Sequence, residues 1–215
     1  MKLSLKDCST IIIFGIPKSG KSNLIKAIVR DAARNKYIDH CVLFSATKDK
    51  EDYDYIDDKY KYNALNLETL QKYIDICKEH NKREIVTKGL ILLDDVLGEL
   101  SLNTDLFTNL FACHRHYGIS VIIASQAIIG IPPKIRSMIS YGCVYKYINM
   151  DDLDKIYICF GSLCKSKREF LEMYERFTNE RYKFFCFMQT DAYTADKAYI
   201  GYRAPLVNKP FKINL

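Results

Sequence analysis

The chain has 215 residues, of which 48% are hydrophobic and 27% charged, and a formal net charge of +6. That balance excludes a disordered or fibrous chain and is ordinary for a globular protein able to bury one sizeable core, or a core with an appendix. The longest apolar runs, residues 11–16 and 121–124, fall far short of the ~20 residues that a membrane-spanning helix needs, and the first residues lack the apolar stretch of a secretory signal. The eight cysteines are scattered singly with no C-x-x-C pair, several of them inside apolar segments. They are expected to be buried free thiols in a reducing, intracellular compartment, not disulfides or a zinc site. The basic residues recur in small clusters, at 78–83, 134–136 and 165–168, while acids and tyrosines mix over 49–58. Such a pattern is mildly favourable to a polyanionic partner but reads chiefly as solvated surface.

In chain order, Ile11-Ile12-Ile13-Phe14 is an apolar strand that runs straight into Gly15-Ile16-Pro17-Lys18-Ser19-Gly20-Lys21-Ser22. Asn23-Leu24-Ile25-Lys26-Ala27-Ile28-Val29 then opens an amphipathic helix expected to end near Asn35. Strand, G-x-x-x-x-G-K-S loop and helix stand in the order that a phosphate-binding loop requires. Gly15 and Gly20 let the backbone curl until successive N–H groups of the loop face one anion, and the positive end of the helix adds to the field. Residues 15–23 are therefore the expected nucleotide cradle, with Lys21 reaching the β- and γ-phosphates and Ser22 offering its hydroxyl to Mg²⁺.

Beyond the loop helix, residues 41–45 read as a short buried strand, and the aperiodic Tyr/Asp-rich stretch 48–62 as a loop with short pieces of structure. Leu67, Leu70, Tyr73, Ile74 and Cys77 mark a helix over 67–80. Leu90-Ile91-Leu92-Leu93 is a strand ending in Asp94-Asp95, and Leu106, Leu110, Phe111 and His114 mark a helix capped by Thr104 or Asn103. Residues 119–124 form the next buried strand, ending at Ser125-Gln126. A short helix is expected from Pro132-Pro133 through Ser140, then a strand over 143–147. Alternating strands and helices imply an α/β fold, a mostly parallel sheet with helices on both faces. From Asp151 the character changes to two helical segments, about 151–160 and 165–177, followed by strands at 184–188 and 198–202 that read as a terminal β-hairpin. The expected division is a core over 1–150 and a helical and β-hairpin extension over 151–215 packed on it, with the residues from Pro205 onward as a tail or docking arm.

In open α/β sheets, ligands sit at the carboxyl ends of the strands. Four such ends carry polar residues here: the loop at 15–22, Ser45-Ala46-Thr47, Asp94-Asp95 and Ser125-Gln126. Four apolar residues followed by two acids have the form of a Walker B segment. Asp94 is then the residue that holds Mg²⁺, and Asp95 the one that orients or deprotonates the attacking water. Gln126 carries an amide that can donate to a γ-phosphate oxygen while accepting from that water, so it can report which nucleotide is bound.

The loop at 15–22, the segment Leu90 to Asp95 and the run His114-Arg115-His116-Tyr117-Gly118-Ile119-Ser120-Val121-Ile122-Ile123-Ala124-Ser125-Gln126 together resemble the FtsK–HerA superfamily of DNA-pumping ATPases. The Arg-His pair before the Ser-Gln strand is most similar to the poxvirus-type genome-packaging ATPases of large DNA viruses. The resemblance covers roughly residues 8–150. It implies a RecA-like P-loop core of the ASCE class with the order 5-1-4-3-2 among its five strands, so that the strand ending at Gln126 separates the P-loop strand from the Walker B strand. It also implies ATP and Mg²⁺ as cofactors, and a homo-oligomeric ring, pentameric or hexameric, that drives double-stranded DNA into a capsid. A capsid or vertex protein is the implied docking partner, the cytoplasmic viral factory or the virion the implied location, and no membrane partner is expected. Family members often carry Glu as the second Walker B acid, where this chain has the shorter Asp95, a variation found in the viral branch.

Ring motors complete each site with an arginine from the neighbouring subunit, an addition worth ~10³–10⁵ in rate. Arg115, Arg136 and Arg168 are the candidates, with Arg136, just past the Gln126 strand, preferred. The spacing of His114 and His116 suits a metal, but no third ligand is evident. DNA phosphates would be met without sequence preference by basic residues such as those at 48–50 and 134–136. The alternative is a P-loop nucleoside or nucleotide kinase, but the sequence offers neither an arginine-rich lid nor cysteine pairs for zinc. A scaffold that binds nucleotide without hydrolysing it leaves Asp94, Asp95 and Gln126 together unexplained.

Overall fold

The computed structural model describes residues 3–6, 8–46, 51–83, 87–96, 102, 104–128, 131–189 and 195–213. Strand β1 (Thr10–Phe14) is buried throughout and leads through the loop into α1 (Lys21–Arg34), whose Leu24, Ile25, Ile28 and Val29 form the inward face. The helix closes at Asn35, as expected, and the chain returns as β2 (His40–Ser45). The Tyr/Asp-rich stretch holds two 3-10 turns, Glu51–Tyr53 and Asp58–Tyr60, and ends in the two-residue strand β3 (Lys61–Tyr62). Next come α2 (Leu67–Lys82), capped by the Asn66 side chain, then β4 (Gly89–Asp94), α3 (Asp105–Cys113) and β5 (Ile119–Ser125). Thr104 caps α3 by accepting from Phe107 N; the alternative cap Asn103 lies outside the described residues, as do Thr47 and residues 48–50.

Helix α4 (Pro133–Arg136) is four residues long and stops well before Ser140. Hydrogen bonds to β1 compete with the helix there: Thr10 Oγ1 donates to Met138 O at 2.7 Å, and Ser140 N donates to Thr10 O at 2.9 Å. The backbone at 138–140 is thereby drawn into register for β6 (Tyr141–Val144). Helices α5 (Met150–Phe160) and α6 (Lys167–Thr178) follow. The latter starts at Lys167 because Ser166 takes the cap position, accepting from Glu169 N while the Glu169 carboxylate accepts from Lys165 N. Strand β7 (Lys183–Met188), the short α7 (Ala195–Ala198) and β8 (Tyr199–Arg203) complete the chain of elements.

The eight strands form one sheet in the order β3-β2-β4-β5-β1-β6-β7-β8. Its central run β6-β1-β5-β4-β2 is parallel and is the 5-1-4-3-2 order of a RecA-like core; β7 and β8 continue it antiparallel. The central strands read as continuous aliphatic runs because both faces are covered. One face is packed by α1, by Tyr53 and Tyr55 and by the C-terminal Phe211 and Ile213; the other lies under α2, α3, α5 and α6. The cysteines are free thiols, and Cys41, Cys77, Cys143 and Cys186 are buried. The tail docks against its own core, with Ile213 N donating to Tyr55 O at 3.1 Å and Phe211 stacked on Tyr55 at 4.7 Å.

Candidate nucleotide-binding site

The loop, Asp94, Asp95 and Gln126 come together where the parallel strands β1, β4 and β5 end. Glycine is required twice in the loop. Gly20 has φ +111, in the left-handed region, and a Cβ on Gly15 would fall 2.4 Å from Ser19 Oγ and 2.9 Å from the Tyr145 ring. Gly15 N donates to Ser125 O at 3.1 Å, which ties the start of the loop to the end of β5. Ile16, Pro17 and Lys18 face solvent, whereas Lys21 is 8% exposed and folds back to donate to Gly15 O at 2.5 Å. Leu24 N donates to Gly20 O, so α1 begins directly beneath the loop with its first N–H groups turned towards it.

Asp94 ends β4 with 7% of its surface exposed and accepts from the Tyr53 hydroxyl at 2.5 Å. Burial pushes its carboxyl above the ordinary carboxylate range, assisted by the charge of Asp95; the Tyr53 hydrogen bond and the Lys21 ammonium oppose the shift. Burial lowers the pKa of Lys21, and Asp95 and Asp94 counter that. The three charges thus share one field. Asp95 adopts φ +53, which turns its carboxylate across the gap to the neighbouring strand. There Gln126 N donates to Oδ1 at 2.8 Å and Gln126 Nε2 to Oδ2 at 2.7 Å. A forked pair between these two residues is not visible in a linear reading, because it depends on the adjacency of β4 and β5 and on a backbone angle that non-glycine residues seldom take. The Ser22 hydroxyl and the Asp94 carboxylate are oxygen donors of the kind that a hard divalent cation takes, and Asp94 Oδ2 already has its tyrosine partner.

Three tyrosines that the sequence reading passed over hold this constellation. Tyr53 bonds Asp94, Tyr145 donates to Gly20 O at 3.0 Å, and Tyr147 donates to Gln126 O at 2.5 Å. Tyr174, on α6, accepts from Tyr147 N at 2.9 Å and donates to Tyr145 O at 2.6 Å. The available signal was the Tyr-x-Tyr pair just past β6, at a strand end beside the loop.

The arginines lie elsewhere. Arg136 is the last residue of α4, near the start of β1 and so at the opposite end of that strand from the loop, and donates to Ile158 O at 2.6 Å, while its Nε is buried without a partner among the described residues. Arg115 is exposed in the turn before β5, and Arg168 pairs with Glu172 on the surface of α6. None of the three makes a hydrogen bond or ion pair to the loop of its own chain among the described residues: Arg136 and Arg168 are bound to Ile158 O and Glu172. His114 is buried with Nδ1 against Phe111 O, not turned outward beside His116.

The model of the family described as Poxvirus A32 protein matches residues 2–204. Among curated proteins, "Uncharacterized protein 015R" of Frog virus 3 (isolate Goorha) is 26% identical over 163 residues, covering 73% of this chain and 50% of that protein. The chain thus spans half the length of that relative. Among solved structures, the genome packaging NTPase B204 from Sulfolobus turreted icosahedral virus 2 in complex with sulfate superposes with a TM-score of 0.69 at 16% identity, covering 92% of this chain and 97% of that one. The same protein in complex with AMPPCP gives a TM-score of 0.67 at 15% identity, covering 94% and 100%.

Proposed function

The chain belongs to the Poxvirus A32 protein family, and from that premise we propose that it is an ATP-hydrolysing motor that drives double-stranded DNA into a viral capsid. The observation that carries the reading is the convergence of the P-loop, Asp94 and the Asp95–Gln126 pair on adjacent strand ends. Binding of an ATP analogue by B204, a packaging NTPase of the same fold, supports ATP as the substrate. The family match and these relatives give the kinase alternative no support.

In this reading the loop N–H groups and Lys21 hold the triphosphate, and Ser22 and Asp94 would hold Mg²⁺. That ion, when bound, neutralises the charge that builds on the β- and γ-phosphate oxygens. Asp95 accepts a proton from the water that attacks the γ-phosphorus as the bond to the β–γ bridging oxygen breaks, giving ADP and phosphate. Gln126 exchanges its hold on Asp95 for the γ-phosphate and the attacking water, which makes the Asp95–Gln126 fork the element that senses the nucleotide. Arg136 of a neighbouring copy is our choice for the completing arginine, ahead of Arg115 and Arg168. A homo-oligomeric ring is the expected assembly, with residues 1–150 as motor core, residues 151–215 as its extension, a capsid or vertex protein as docking partner and the viral factory or virion as its place of action. Pairing of β7 with β6 supports treating the extension as part of the same body.

The test is phosphate release by the purified chain with ATP and Mg²⁺, with and without long double-stranded DNA, alongside Lys21→Ala. Hydrolysis stimulated by DNA and abolished by the substitution is the expected result. Hydrolysis that is absent, or indifferent both to DNA and to accessory capsid proteins, would sink the motor reading, and phosphate appearing on a nucleoside would replace it with the kinase. Mass measurement with and without ATP and DNA reads the ring.

A further inference from the structure

Asp94, Asp95 and Gln126 stand on the β4–β5 side of the loop, which fixes the γ-phosphate end of a bound triphosphate there. The nucleoside must leave on the opposite side, over β1 towards β6 and β7. On that side lies a cavity of about 280 Å³ between the loop and the turn that joins α6 to β7, lined by Pro17, Lys18, Ser19, Tyr145, Arg181 and Tyr182. Tyr182 has φ +65 and is 44% exposed, a strained backbone carrying a large aromatic side chain into solvent. Its ring edge abuts the loop, so that a Cβ on Gly20 would sit 3.3 Å from Tyr182 Cδ1.

The turn is built to hold that strain. Glu180 pairs with both Lys183 and Arg203, and Arg203 Nη2 also donates to Arg181 O at 3.0 Å, locking the turn to β8. The Arg181 guanidinium lies 4.7 Å over the Tyr182 ring. Ser19 Oγ, in the same cavity wall, is buried without a partner among the described residues.

We propose that Tyr182 is the nucleobase platform, with the base stacking on the ring face opposite Arg181. Recognition through a π-face uses no hydrogen-bonding edge, so the site takes purine nucleoside triphosphates as a class, ATP and GTP alike, and stacks pyrimidines more weakly. The inference deepens the nucleotide-binding reading and depends on it.

The experiment is equilibrium binding of Mg²⁺-ATP, Mg²⁺-UTP and inorganic tripolyphosphate to the full chain as wild type, Tyr182→Ala, Tyr182→Phe and Lys21→Ala. Tyr182→Ala should weaken ATP by about 5- to 150-fold, leave tripolyphosphate affinity unchanged and erase the preference for ATP over UTP. Tyr182→Phe should keep wild-type affinity, since the ring and not the hydroxyl makes the contact. Equal losses of ATP and tripolyphosphate in Tyr182→Ala would reduce the residue to a prop for the loop, and no loss of either would remove it from the site; both overturn the proposal. If the wild type binds neither ligand and Lys21→Ala changes nothing, the nucleotide reading itself falls and takes the platform with it.

Discussion

The two ends of the sheet solve different problems with different residues. The β2-β4-β5-β1 end is aliphatic within and ends in charge: Ile11 to Ile13, Leu90 to Leu93 and Ile122-Ile123 fill the strands, and Lys21, Asp94, Asp95 and Gln126 stand at their tips. The β7-β8 end is aromatic. Phe170, Tyr174, Phe185 and Tyr199 pack edge-to-face and stacked at centroid distances of 5.3–6.3 Å, and Tyr199 and Tyr174 give their hydroxyls to the backbone at Phe160 O and Tyr145 O. Branched aliphatics suit strands covered on both faces by helices and loops, while large rings fill the volume beneath two long helices and bring a polar tip with them. Chemistry is carried by one end and its positioning by the other, with Tyr145 and Tyr147 as the bridge between them.

The largest effect expected from this division belongs to the charged end. Asp95→Asn should lower turnover by about 10²–10⁴ while nucleotide affinity is kept, as read by single-turnover hydrolysis beside equilibrium binding; comparable hydrolysis would place the base elsewhere. At the aromatic end, Phe185→Ala should destabilise the fold by about 3–5 kcal/mol in denaturant titrations, with nucleotide still bound by the fraction that remains folded. Loss of binding from that folded fraction would merge the two ends into one. Tyr147→Phe tests the bridge: removing the hydroxyl held by Gln126 O should destabilise by about 0.5–1.5 kcal/mol and also slow turnover. Turnover at the wild-type rate would show that the ends work independently. The smallest effect is that of pH. Burial lowers the pKa of both His40 and His114 from 6.5, so the fold prefers their neutral forms. Their contribution to stability is complete above pH 6.5 and is lost as pH falls through that value towards the lower folded values. The denaturation midpoint in urea should therefore fall as the pH is lowered from about 7.5 to about 5.5. A rise instead would mean that Asp94, whose raised value favours the fold in acid, dominates the titration.

Much of the charged end was legible in the sequence because its chemistry is local: a loop with two glycines, a strand ending in two acids, a strand ending in Gln126. The order of the central strands was reached only through the resemblance, since hydrophobic runs do not say which strand is whose neighbour. The Asp95–Gln126 fork and the Tyr53–Asp94 bond join residues 31 and 41 positions apart, and no local pattern encodes such a contact. Helix α4 was overextended for a related reason, because the competing partner of residues 138–140 is Thr10, at the far end of the chain. The residues from Pro205 onward read in the sequence only as a tail or docking arm, and the stack of Phe211 on Tyr55 that packs them on their own core joins positions too far apart for a local pattern.

The place of β1 has a consequence for how the protein is made. It is made before the other seven strands of this sheet, yet both of its sheet neighbours, β5 and β6, lie more than a hundred residues further along, with Thr10 opposite Val121 and Ile11 opposite Tyr141. Until those strands are synthesised, the run of isoleucines before the loop has no sheet to join and is the segment most in need of protection from aggregation. Closure of the centre of the sheet around β1 is therefore a late event in biogenesis, and a chain stopped before β6 would carry every residue of the P-loop without the walls that shape it.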